Sequence, residues 1–330
     1  MRTRFCMSYL LVMLFCLWLS PSASAKNDNS ANPVPMERWN AYVAFINESQ
    51  TLMEIFSRYP ENLGTGAEPD IKKESALKKF ADRVAENRKF LGRIRDDVTS
   101  KVIVQADASD KTDLDSKAKA FAVSVRNTMD VQFEAQAYYA ARSHVDDGLA
   151  KGKQMHPKIM AAYKDLVVTY KGFSKAMREQ ERLNMEREIV SMREAGLKIL
   201  PAALSFVAVA RDIAAELGRL QVDASNVHTL DAVTFKPHYD ALVKALADLQ
   251  ADAGDEKQVE REKLYKERMD HLLQEAMQVK AVATGIMEAV AKGKPTKEPA
   301  AWREDTPEKF MRRLNTLIKA YNSMVQIPKT

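Results

Sequence analysis

The strongest helical signal in the 330-residue chain is YKERMDHLLQEAMQVKAVATGIMEAV, residues 265–290. Its apolar residues recur at alternating intervals of four and three, the heptad spacing of helices that pack as coiled coils. The 26 residues would span about 39 Å of helix at a rise of 1.5 Å per residue. The sequence GKPTKEP at 293–299 closes this helix. The predicted seam consists of Tyr265, Met269, Leu272, Ala276, Val279, Ala283, Ile286 and Val290.

Helical signals also precede and follow this seam, and no stretch alternates with the period of two that β-strands require. Apolar periodicity starts near Trp39 and ends at PENLGTGAEPD, residues 60–70. Thr306-Pro307 has the composition of a helix start, with threonine as N-cap and proline in the first turn. We therefore predict an all-α fold, an elongated antiparallel helical bundle with coiled-coil-like heptad packing in a single domain, 36–327. Further helices are predicted at about 70–99, 113–142, 157–195, from Pro201 to about Val222, and 236–252.

The first 25 residues have the three parts of a secretory signal peptide. Arg2 and Arg4 supply positive charge, residues 9–19 are apolar, and Ala23-Ser24-Ala25 supplies the small residues of a cleavage site. Lipidation of Cys16 would need a small residue just before it, and Phe15 stands there instead, so we expect no lipid anchor. We expect cleavage after Ala25, a disordered leader at 26–35, and a periplasmic protein that does not span the membrane once the signal is removed.

The cysteine content and the charge of the chain exclude several classes of function. Cys6 and Cys16 both lie in the predicted signal, so the mature chain would have no disulfide and no thiol nucleophile. The net charge of +5 falls to +3 when Arg2 and Arg4, the charged residues of 1–25, are removed. Because the charges are well mixed, nucleic acid is not expected as a partner. We also expect no cofactor.

Familiar catalytic and metal-binding motifs fail at specific positions. None of the five histidines belongs to a His-Glu-x-x-His or Glu-x-x-His pattern. GLAKGK at 148–153 has one residue too few for a phosphate loop, and a calcium loop counted from Asp107 lacks its required glycine and glutamate. Glu267, His271 and Glu275 share a helix face and could hold a metal ion, but this spacing is more often a polar stripe opposite the heptad seam. The chain is therefore not expected to be an enzyme.

Residues 138–156, YYAARSHVDDGLAKGKQMH, concentrate aromatic, acidic, basic and imidazole side chains. A structural interpretation is a helix junction, with Ser143 and Asp146 as a capping box, an Asp147–Lys151 pair, and Pro157 opening a new helix. The alternative is a binding site. Its candidate residues are Tyr138, Tyr139, Asp146, Asp147, Lys151, Lys153 and His156.

The same block resembles the signature of the YiiG-like family, an envelope domain of unknown function. The resemblance rests on Tyr138-Tyr139, Asp146-Asp147, Lys151-Gly152-Lys153 and His156, and LNTLIKAYNSM at 314–324 is similar to the end of that family. It departs from the family at His144, where tyrosine is usual, and in its predicted lack of a lipid anchor. The resemblance implies an exported helical protein and supplies no reaction.

These features favour a non-enzymatic periplasmic protein that binds an envelope protein partner or scaffolds the envelope, as a monomer or homodimer. The charged segment 178–188 and the 138–156 junction are the predicted interaction surfaces. The alternative is a small-ligand or metal-binding protein, with Asp146, Asp147 and His156 as ligands and the tyrosines as walls.

Overall fold

The computed structural model describes residues 34–70, 74–107, 111–296, 298 and 303–325. These residues form helices and no strand, which confirms the all-α helical bundle. The predicted signal peptide and most of the predicted leader lie outside the described residues. The helices are α1 Met36–Leu63, α2 Glu74–Glu86, α3 Arg88–Arg93, α4 Thr99–Ala106, α5 Asp113–Ala140, α6 Ser143–Asp146, α7 Ala150–Glu194, α8 Ile199–Arg219, α9 Ala232–Ala253, α10 Glu256–Arg261, α11 Lys266–Lys292 and α12 Pro307–Val325.

The chain divides into two compact units, with the division inside α7 between Glu181 and Arg182. The N-terminal unit contains α1 to α6 and the first part of α7. Its core includes a cluster of phenylalanines, in which the Phe121 ring centroid lies 4.9 Å from that of Phe45 and 5.7 Å from that of Phe173. Such ring contacts add to the free energy gained by burying the apolar surface.

A buried carboxylate connects two helices of this unit. Asp115, near the start of α5, accepts hydrogen bonds from the Tyr42 hydroxyl at 2.6 Å and from Arg38 at 3.2 Å. It also forms a capping box with Thr112. A buried charge is tolerated when it is paired and hydrogen-bonded in this way. The network therefore fixes the start of α5 against α1.

The C-terminal unit contains the heptad helix, α11, which packs against α9 and α12. The seven seam positions from Met269 to Val290 are buried, as predicted. The first predicted position, Tyr265, is the exception. It is 57% exposed and stands at the N-cap, before the first turn of α11. A residue outside the helix does not follow its periodicity, so the seam is one position shorter than predicted.

Two of the predicted helices need correction. The predicted helix at 70–99 is interrupted at Asn87 and by a π-helical turn at Ile94–Val98, and it continues to Ala106 because Val102 and Ala106 are buried. The helix expected to open at Pro157 instead begins at Ala150. Pro157 lies within that helix and is exposed. Its ring leaves one carbonyl of the preceding turn without the usual N–H donor.

The charged segment 178–188 is not exposed on every side. Gln180, Glu181 and Met185 are each no more than 7% exposed, although Arg182 and Glu186 are exposed and form an i, i+4 ion pair. Its sequence is polar nearly all round, yet one side of this part of α7 is covered.

Candidate functional site

The 138–156 junction joins α5 to α7 through a sharply shaped turn. After α5 ends at Ala140, the chain forms the single-turn α6 and then enters α7 at Ala150. Arg142, Gly148 and Leu149 have positive φ angles of 58°, 60° and 70°. Residues other than glycine rarely adopt this left-handed backbone conformation, so Arg142 and Leu149 are held in it by their surroundings.

Tyr138 and Asp147 fix the two ends of this turn to each other. The Tyr138 hydroxyl donates to Asp147 Oδ1 at 2.8 Å, and the Lys151 backbone N–H donates to Asp147 Oδ2 at 3.1 Å. Burial, together with this bond, raises the pKa of Tyr138 to about 12. For Asp147, burial opposes ionisation, but the bonds from Tyr138 and from backbone N–H groups prevail and lower its pKa. Asp147 is thus an ionised cap at the start of α7.

His156 is fully buried and uses both ring nitrogens within the protein. Nε2 lies 3.1 Å from the carbonyl oxygen of Gly66, and Nδ1 lies 3.2 Å from the Tyr59 hydroxyl. Because a carbonyl oxygen only accepts, Nε2 must carry the proton, and Nδ1 accepts from Tyr59. Burial lowers the pKa of His156, with the Gly66 contact partly offsetting that effect. The imidazole is therefore neutral and holds the loop after α1.

Aromatic packing surrounds these polar contacts. The Tyr139 ring centroid lies 4.9 Å from that of Tyr138 and 6.3 Å from that of Phe80. A Cβ on Gly152 would lie 2.7 Å from Leu149 Cδ1 and 3.1 Å from the Tyr139 hydroxyl. The glycine of the Lys-Gly-Lys sequence thus lets α7 approach Tyr139 closely.

The remaining candidates, Asp146, Lys151 and Lys153, lie on the exposed side of the junction. The Lys151 ammonium pairs with Glu134 at 3.0 Å, rather than with Asp147 as predicted, and Lys153 pairs with Glu68 at 2.9 Å. The predicted capping box is also wrong, because Arg142 occupies the N-cap of α6 with no side-chain cap bond. The left-handed backbone at Arg142 shifts the helix start by one residue.

The three residues predicted as metal ligands, Asp146, Asp147 and His156, do not form a ligand set in the structure. His156 has both nitrogens engaged in the interior, whereas Asp146 and Asp147 are exposed. No group of three or more histidine, cysteine, aspartate or glutamate side chains in 34–70, 74–107, 111–296 and 303–325 is arranged to hold a metal ion. In the other candidate set, His271 is exposed, while Glu275 is buried and lies 3.7 Å from Arg313.

Sequence reasoning missed the residues that complete this region from α1, the loop after it, and α2. They are Tyr59, Gly66, Glu68 and Phe80. They lie far from the junction in sequence, with 97 positions separating Tyr59 from His156. No local pattern marks such partners, because the fold alone brings them together.

The described residues place the chain among all-α helical proteins. Residues 34–323 match the model of a family described as "Protein of unknown function (DUF3829)", and the chain belongs to that family. No curated protein and no solved structure is significantly similar to it. Among the helices described, none combines the length and apolar character needed to cross a membrane.

Proposed function

We propose that this is an exported, non-enzymatic protein that binds an envelope protein partner through the tip of the junction, residues 142–148. The observation that carries the proposal is Val145, which is 60% exposed on α6, between two residues with left-handed backbone. Neither Arg142 nor Leu149 adopts that backbone without cost. The tip is therefore a shaped surface rather than a relaxed connection.

Backbone strain of this kind costs on the order of 1–3 kcal/mol for each residue and persists only where the surroundings impose it. Here the surroundings are the Tyr138–Asp147 hydrogen bond and the buried Leu149 side chain. A surface held in one shape before binding loses less conformational entropy when a partner docks. Internal bracing of an exposed tip thus favours a recognition role.

The chemistry of the tip suits a protein partner. Val145 offers an apolar centre, and Arg142, Asp146 and Asp147 place charged groups around it on exposed positions. An apolar centre with a polar rim is the usual anatomy of a protein–protein contact. A soluble ion or small molecule would instead require a concave set of converging polar groups.

Export is supported by the composition of residues 1–25 and by the narrower resemblance to the YiiG-like envelope family. N-terminal sequencing of the protein from the periplasmic fraction tests it. The expected first residue is Lys26. Full-length protein beginning at Met1 and confined to the cytoplasm would contradict this part of the proposal.

The partner is tested by chemical crosslinking in intact cells followed by mass spectrometry. We expect Val145→Asp to remove a specific crosslinked protein that the wild type captures. The matched control is Val233→Asp, because Val233 is 81% exposed on α9 in the other unit. Equal crosslinking by the wild type, Val145→Asp and Val233→Asp would overturn the proposed surface.

A further inference from the structure

Several surface cations of this protein pair with a carboxylate on their own helix. Lysines and arginines on α2, α7, α9 and α11 pair with an acid four residues away. These pairs are Lys78–Asp82, Arg182–Glu186, Lys236–Asp240, Lys244–Asp248 and Lys266–Asp270. At these positions the two opposite charges largely cancel, so little net charge is left to attract an anionic ligand.

Helix α12 carries more cations than acids. Its sequence has four cations and a single acid, Glu308. Although Glu308 lies four residues before Arg312, its Oε1 accepts the Ala224 backbone N–H at 3.3 Å. Within the described parts of the chain, no carboxylate lies within 4.0 Å of the Arg312 guanidinium or the Lys319 ammonium. The charges of Arg312 and Lys319 are therefore left uncompensated within the described residues.

Three of these cations line a concave surface. A groove of about 280 Å³ is lined by Lys309, Arg312, Arg313 and Thr316, which share one face at spacings of three and four. This volume is just below the range of about 300–1,000 Å³ that is usual for ligand pockets, and the groove is open to solvent, so it has room for one small group at most.

Two carboxylates lie beside the groove and reduce its charge. Glu304 pairs with Lys309, and Glu275 lies 3.7 Å from Arg313. The second distance is too long for a hydrogen bond, so Glu275 neutralises charge without using the guanidinium donors. Arg312 and Arg313 thus retain donors that a ligand can satisfy.

We propose that this α12 groove binds a phosphate group. A guanidinium offers paired donors that match two phosphate oxygens, and an ammonium adds a compact positive charge. Arg312 and Arg313 would supply the paired donors and Lys309 the ammonium. The Thr316 hydroxyl donates to the Arg312 carbonyl oxygen at 3.1 Å, so it lines the groove without a hydrogen for the phosphate. The phosphate belongs either to a soluble phosphate compound or to the headgroup of an anionic phospholipid.

Two binding measurements on the full mature protein distinguish these sources. Isothermal titration with inorganic phosphate tests the soluble form. Flotation with vesicles of phosphatidylglycerol and phosphatidylcholine, against vesicles of phosphatidylcholine alone, tests the headgroup. We expect Arg312→Gln to weaken binding at least tenfold in one arm, because it removes a bidentate contact. Arg312 makes no ion pair in the described structure, so its replacement should leave folding intact.

The matched control is Lys244→Gln, which removes one positive charge from an exposed position on α9. Phosphate binding lost only in Arg312→Gln supports a soluble ligand, and vesicle binding lost only in Arg312→Gln supports a lipid headgroup. The proposal is overturned by the absence of binding in both arms, or by an equal reduction in the two variants. Equal reduction would mean that net charge alone attracts the anion.

Discussion

His156 on α7 donates a hydrogen bond from Nε2 to the carbonyl oxygen of Gly66, at 3.1 Å, across 90 positions of sequence. Together with the Tyr59 contact at 3.2 Å, this bond makes a neutral imidazole part of the interior of the N-terminal unit. The histidine at the end of the 138–156 block therefore has a structural role. The exposed residues of the same block are the ones to which we assign the proposed recognition role.

Acid should destabilise the N-terminal unit through His156. Burial lowers the pKa of His156 in the folded protein below its ordinary 6.5, so the unfolded chain binds the proton more readily. The stabilising contribution is present above pH 6.5 and is lost as the pH falls from there toward the lowered pKa. Urea unfolding between pH 8 and pH 5 measures this loss. We expect a smaller loss over this range in His156→Gln than in the wild type.

The control for that experiment is His271→Gln, since His271 is exposed on α11. It should follow the wild-type pH dependence. If His156→Gln and His271→Gln lose stability in parallel with the wild type, titration of His156 does not contribute.

Removal of one hydroxyl should loosen the junction. Tyr138→Phe removes the donor to Asp147 Oδ1, and we expect the free energy of unfolding to fall by about 0.5–1.5 kcal/mol. The pKa of Asp147, measured by NMR, should rise because one of the bonds that stabilise its ionised form is lost. Tyr265→Phe, at an exposed tyrosine, is the control and should change neither quantity. An unchanged Asp147 pKa in Tyr138→Phe would contradict the assignment.

The carboxylate of Glu262, which is distant in sequence, should stabilise the start of α8. Glu262 accepts the backbone N–H groups of Lys198, Ile199 and Leu200 at 2.7, 2.8 and 2.9 Å. It thus replaces the missing side-chain cap at the start of that helix. We expect Glu262→Ala to lower the free energy of unfolding by about 1–2 kcal/mol, as measured by urea titration. The neighbouring Glu260→Ala should have little effect, and equal effects of the two changes would exclude capping.

Alanine substitutions at Met269 and at Tyr265 should differ sharply in how much stability they remove, because only Met269 belongs to the buried seam. Met269→Ala should cost about 2–5 kcal/mol, because it leaves a cavity in the packing of α11. Tyr265→Ala should cost much less, because Tyr265 is exposed before the helix begins. Thermal unfolding of the two variants measures both costs. Similar destabilisation by both substitutions would mean that Tyr265 packs in the seam, contrary to the structure.

The helices were predictable because their signals are local. The heptad spacing of α11 and the Thr306 N-cap, whose hydroxyl accepts the Lys309 N–H at 3.2 Å, can both be read within a few residues. The start of α7 was missed because it depends on left-handed backbone at Leu149 and on the Asp147 cap. Propensity alone pointed instead to Pro157.

The candidate site was predictable only in part, for the same reason. The sequence brings Tyr138, Asp147 and His156 into one block, and the first two are in direct contact. The partners of His156 come from α1 and the following loop, so no spacing rule could indicate that the imidazole is buried. The basic groove on α12 was also missed, because it depends on where Glu308 and Glu275 point.

The most direct test of the proposed recognition surface is site-specific photocrosslinking in living cells, with a photoreactive residue placed at position 145 or at position 233. We predict that position 145 captures a defined envelope protein and that position 233 does not. Tyr138→Phe should reduce the yield at position 145, because the tip loses its bracing. Capture of the same proteins from both positions, or of none from position 145, would contradict the account.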